Sequence, residues 1–141
     1  MQLMASTDIA LRTLIYLGRK GDIATIQEVA DAFEMSKTHL MKVVMTLVAA
    51  NFLISERGRN GGIRLAQAAG DISIGAVVRL METNLALVIC MKDDVEDDTC
   101  PLMPDCRLKN VFTKAQNAFL STLDSSSLAD LLPPPSAKRK K

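Results

Sequence analysis

All three cysteines of this 141-residue chain lie in one stretch, as Cys90, Cys100 and Cys106. Thiolates can ligate soft metals and iron–sulfur clusters or act as redox switches, and a thiol can also lie inert in a core. An odd number of thiols argues against a structural disulfide framework. The intervals, nine residues and then five, match neither the close pairs of zinc ribbons nor a ferredoxin run, so spacing alone is a weak signal. The neighbours say more. Cys100 and Cys106 sit among Asp, Thr and Pro instead of an apolar helical stripe, and Pro101 and Pro104 stiffen the interval between them. A cluster-holding loop over residues 90–106 is the expectation, with three thiolate ligands and a fourth position to be filled from elsewhere.

The segments before the loop have to position it. Ile9, Leu11, Leu14, Ile15 and Leu17 recur near helical spacing, which predicts a first helix over 6–18 with Ser6 or Thr7 as its cap and Asp8 in its first turn. Arg19-Lys20-Gly21-Asp22 closes it. Thr25 and Glu28 have the form of a capping box opening a short helix that buries Val29, Ala30 and Phe33. After a turn at Met35 and Ser36, Leu40, Val43, Val44, Leu47 and Val48 predict a second helix through Ala50. Two short helices around a tight turn form a helix-turn-helix, whose second helix enters the major groove of DNA. Thr25, Ser36, Lys37, Thr38, His39 and Lys42 are the candidate base and phosphate contacts there, with Met41 on or near the same face.

Phe52 to Arg57 and Ile63 to Ala66 read as strands joined by the glycine-rich turn Gly58-Arg59-Asn60-Gly61-Gly62. A hairpin directly after a reading helix is a wing. Its candidate DNA contacts are Arg57, Arg59, Asn60, Gly61 and Arg64, because arginine is stabilised in a narrow minor groove and glycine allows close backbone approach. A further helix over Ser73 to Met81 should bury Ile74, Val77, Val78 and Met81, and Leu85 to Ile89 forms an apolar approach to the loop. From Arg107 to Leu123, Leu108, Val111, Phe112, Ala115, Phe119 and Leu123 mark a long amphipathic helix. Since four earlier helices already close the core, it is expected to pair two copies of the chain. The fold class is mainly α with a small β-hairpin: a winged helix-turn-helix over 1–89, the cysteine loop over 90–106, a dimerisation helix and terminal turn over 107–132, and a basic tail over 133–141.

Composition narrows the partners. Lys and Arg number 17 against 16 Asp and Glu, so nucleic-acid affinity has to come from local clustering. Asp93, Asp94, Glu96, Asp97 and Asp98 form an acidic insert read as a solvated bulge. Four Phe and one Tyr are too few for a base-stacking platform. With one His and no paired carboxylates in a recognisable pocket, enzymatic catalysis is not expected. Neither a secretory signal nor an apolar run able to span a bilayer is evident, so a cytoplasmic protein without membrane contact is expected.

Four stretches carry a resemblance to a known family. They are Met1-Gln2-Leu3 with Thr7-Asp8 and Leu11-Arg12, the wing from Arg57 to Leu65, Ile74-Gly75 with Val77-Val78, and Cys106-Arg107-Leu108. In these the chain resembles the winged-helix iron–sulfur transcriptional regulators, over nearly its whole length to about Leu132. It is more similar to the nitric-oxide-sensing repressors than to the branch with a His three residues after the last cysteine, where this chain has Lys109. The resemblance implies a homodimeric repressor of a double-stranded DNA operator. Cys90, Cys100 and Cys106 would hold a [2Fe-2S] or [4Fe-4S] cluster, with Asp8 of the partner subunit as fourth ligand. It also implies a switch: nitric oxide ends ligation, helix one is released and DNA affinity falls. The acidic insert is longer than in such relatives, which makes Cys90 the least secure ligand. Two rivals stand beside this reading: a cluster-free regulator switched by a Cys100–Cys106 disulfide, and an electron-transfer or metal-scaffold protein with no DNA role, which leaves the wing unexplained.

Overall fold

The computed structural model describes residues 2–59, 61–92, 100–103 and 105–134. Asn60, Pro104, the acidic insert and the basic tail from residue 135 on lie outside the described residues. Five α-helices and one antiparallel hairpin follow in the order α1 (Ala5–Lys20), α2 (Ile26–Ala32), α3 (Lys37–Ala49), β1 (Leu53–Glu56), β2 (Gly62–Leu65), α4 (Ile74–Met81) and α5 (Arg107–Asp124), with short 3₁₀ turns at Ala69–Asp71, Ile89–Met91 and Leu128–Leu131. This is the mainly helical winged fold that the periodicity predicts.

The core lies where α1 packs against α3 on one side and α4 on the other. Leu14, Leu17, Val29, Leu40, Leu47, Leu53, Ile63, Ile72, Val77 and Val78 are essentially inaccessible there. The two buried threonines are satisfied: Thr13 donates its hydroxyl to the Ile9 carbonyl one turn back, and Thr7 donates its own to Glu82. The helices start and stop where side chains complete the backbone. Thr25, Ser36 and Ser73 cap α2, α3 and α4 by accepting from the N–H groups of Glu28, His39 and Ala76.

Two expectations about caps are corrected. Helix α1 begins at Ala5 with Met4 at the capping position, not at Ser6 or Thr7. Its cap is supplied from far along the chain, because Glu82 accepts from the Met4 N–H at 2.8 Å and from the Thr7 hydroxyl at 2.5 Å. The Thr25/Glu28 box is half made: Thr25 caps, while the Glu28 carboxylate accepts from Tyr16 Oη at 2.8 Å and Lys20 Nζ at 2.5 Å on α1.

After α3 the chain reverses through Asn51, held in the left-handed region at φ 61°, and the Phe52 N–H reaches back to the Leu47 carbonyl at 2.9 Å. That reversal launches the hairpin, paired as Leu53 with Leu65, Ile54 with Arg64, Ser55 with Ile63 and Glu56 with Gly62. Ala24 exchanges two backbone hydrogen bonds with Ile63, so the segment before α2 joins the wing as a third short rung. At Gly62 a β-carbon would collide with the Ala24 carbonyl, so this rung requires glycine.

Beyond α5 the chain returns to the core. The Leu128 N–H donates to the Ile72 carbonyl, the Ile74 N–H to the Ser126 carbonyl, and the Leu128 side chain is fully buried.

Candidate nucleic-acid interface and cysteine segment

Helix α3 places its residues by a plain division of faces. Leu40, Val43, Val44 and Leu47 are buried, while Lys37, Thr38, His39, Met41 and Lys42 are exposed, with Ser36 exposed at the cap. Thr25, at the start of α2, is exposed as well. The tight turn between α2 and α3 is set by Glu34, in the left-handed region at φ 51°, and by the Met35 N–H bonding the Ala30 carbonyl at 3.0 Å. Donors and cations of α2 and α3 therefore face solvent.

The hairpin adds exposed cations of its own. Arg57 and Arg59 are exposed in the turn, where Gly58 takes φ 111° and the Gly61 N–H closes onto the Gly58 carbonyl at 3.0 Å. Arg64 is exposed too, and its Nε donates to Glu56 Oε1 across the two strands at 2.6 Å. That pair stiffens the hairpin and leaves Arg57 and Arg59 as the cations at its tip.

The cysteines lie in the segment between α4 and α5 and at the start of α5. Cys90 is in the 3₁₀ turn Ile89–Met91, which packs against α5, Cys100 begins a turn closed by the Met103 N–H onto its carbonyl, and Cys106 is the cap residue of α5. All three are free and half-buried. The Cys106 Sγ accepts from the Lys109 N–H at 3.5 Å. Among the described residues no three His, Cys, Asp or Glu side chains converge as a metal site. The donor set is chemically apt for an iron–sulfur cluster, but in the single chain the sulfurs are not gathered, as is usual where ligation itself completes a site. Asp8, exposed on α1, is held in a fork by Arg12, at 3.0 Å to Nε and 2.9 Å to Nη2.

Between Gln2–Leu3, the segment 82–87 and α5 lies an open cleft of about 340 Å³. Among the described residues Glu82 is the only titratable one lining it, and its carboxylate accepts from Met4 and Thr7 at the start of α1, so these residues offer no acid–base pair. Sequence reasoning missed Glu82: a carboxylate alone after a helix shows no signal of the distant cap it serves.

A family model described as "Rrf2: Iron-dependent Transcriptional regulator" matches residues 3–134. The chain belongs to the Rrf2 family. Its curated relatives include proteins named HTH-type transcriptional regulator NsrR, from Oceanobacillus iheyensis at 41% identity, Halalkalibacterium halodurans at 44% and Geobacillus kaustophilus at 45%. Each alignment spans 94% of this chain and 90% of the relative. Solved Rrf2-like folds include CymR of B. subtilis, with a TM-score of 0.74 at 22% identity over 93% of this chain and 95% of that one. Another is IscR of T. potens, at 0.72 and 22% over 93% and 85%. As a member of the Rrf2 family the chain is a transcriptional regulator with a DNA-binding winged helix, and not an enzyme. Among the described residues no helix is long and apolar enough to cross a membrane.

Proposed function

We propose that this Rrf2 protein is a homodimeric repressor whose grip on its operator depends on an iron–sulfur cluster, with nitric oxide as the signal. One observation carries the reading: three free, half-buried thiols stand in a single segment beside α5, in a chain 41–45% identical to regulators named NsrR. Cys90, Cys100 and Cys106 hold the cluster, and Asp8 reaches it from the partner subunit. When bound, the cluster would supply iron to which nitric oxide can bind as a ligand. The chain's own residues do the rest. Arg12 orients the Asp8 carboxylate on the exposed face of α1, and each oxygen keeps a further lone pair for a ligand role.

The second copy docks along α5. No residue of that helix is buried within one chain, and Leu108 and Val111 stand 57% and 60% exposed, with Ile89 and Leu102 exposed beside the cysteines. Such an apolar surface fits a partner helix. Dimerisation sets two α3 helices about one turn of duplex apart. Lys37, Thr38, His39 and Lys42 contact the major groove, Thr25 and Ser36 the backbone, and Arg57, Arg59, Asn60, Gly61 and Arg64 the wing side.

The test is a parallel titration. Anaerobically purified protein is followed by visible absorption and circular dichroism as stoichiometric nitric oxide is added, with operator binding measured in the same samples. A cluster spectrum should collapse together with DNA affinity, and Cys100→Ala or Cys106→Ala should abolish tight binding. Unchanged gel-shift affinity in those variants defeats the cluster mechanism. A colourless protein that still binds tightly leaves a winged-helix regulator switched by its thiols.

A further inference from the structure

The outward face of α3 carries two methionines, Met41 and Met45, one turn apart and therefore stacked. They are 48% and 70% exposed, Met45 on the face turned away from the buried Leu40/Val43/Val44/Leu47 stripe and Met41 on its flank. Lys37 and Lys42 flank them, and α3 contains no acidic residue. One exposed apolar side chain on a surface is ordinary. Two stacked on the exposed side of a reading helix, beside Lys37 and Lys42, form an apolar patch with cations that suit a polyanion.

In the major groove every base pair offers hydrogen-bond donors and acceptors, and the one apolar group is the C5-methyl of thymine. A thioether donates nothing and accepts weakly, so methionine is blind to the donor–acceptor code. Contact with that methyl is what such a side chain can gain there. We infer that Met41 and Met45 are specificity-determining residues that select operators with thymine facing α3. The inference rests on the DNA-binding role of α3. Being unbranched and flexible, the two side chains can follow a methyl over a small range of positions, which makes the preference graded.

The experiment uses the full chain and the duplex it enriches from a randomised pool. Each thymine of that duplex is replaced in turn by deoxyuridine, which removes the methyl and nothing else. At one or two thymines per half-site, affinity should fall roughly fourfold, the equivalent of one buried methyl group. Met45→Ala and Met41→Ala should each bind the parent duplex more weakly and lose discrimination between thymine and deoxyuridine at one of these positions, while Met45→Leu retains it. Both residues are exposed and alanine favours helix, so the variants keep their fold, as circular dichroism would verify. The inference is overturned if the native chain binds every deoxyuridine duplex as tightly as the parent, or if the alanine variants stay as sensitive as the native chain. If no duplex is enriched, DNA binding by α3 falls first and the thymine preference with it.

Discussion

Glu28 shows how much one carboxylate can organise. Its bond from Lys20, and after that its bond from Tyr16, hold its carboxyl below the usual range, while the same contacts raise Tyr16 and Lys20 above theirs. A carboxyl depressed in the folded state stabilises the fold above its unfolded value of about 4.3, and the benefit is lost as pH falls through the lower folded value. Lys20 contributes until pH rises through its raised folded value, beyond about 10.4. Glu28→Gln should therefore melt below the native chain at neutral pH, with the gap closing in strong acid. An equal gap at pH 3 and pH 7 would remove Glu28 from the junction of α1 and α2. At the tip of the wing, Arg59→Ala should flatten the salt dependence of operator binding by about one phosphate, and an unaltered slope would take Arg59 out of the interface. Residues whose chemistry is in their type, the cysteines and the wing arginines, are visible in the sequence. Met45 and Glu82 are not, because outward exposure and a cap from 75 residues away exist only once the chain is folded.

At the scale of elements, each helix was legible where its cap is local. Thr25, Ser36 and Ser73 announce α2, α3 and α4, and Gly21 ends α1. The start of α1 was misread because its cap comes from the end of α4. Periodicity found α5 but not how it is seated on α4. Gly75 makes that seat: a β-carbon there would run into Asp124, which accepts from both terminal guanidinium nitrogens of Arg79, Nη2 to Oδ2 at 2.7 Å. Gly75→Ala should push the two helices apart at a cost of about 1–3 kcal/mol, the usual range for overpacking. Urea unfolding would measure it, and a variant as stable as the native chain would mean that α5 moves aside freely.

Across the whole molecule, the winged fold was legible from the succession of helix, turn, helix and hairpin, whereas its closure by the far end of the chain was not. The signal was present in Ser127 and Asp130, a capping pattern ahead of the Leu131–Leu132 pair, and Asp130 does accept from both the N–H and the hydroxyl of Ser127. Leu128 has no exposure, so Leu128→Ala should cost about 2–5 kcal/mol in a denaturant titration. A loss below 1 kcal/mol would mean that the turn is a surface appendage. The bridge between Ser73 and Ser127 carries a further consequence for synthesis on the ribosome. Since Ile72 and Ile74 bond to Leu128 and Ser126, the DNA-reading head cannot complete its packing until α5 and the cysteine segment have left the exit tunnel. A nascent or prematurely terminated chain that stops short of Ser126 therefore lacks the contacts that close the winged-helix head.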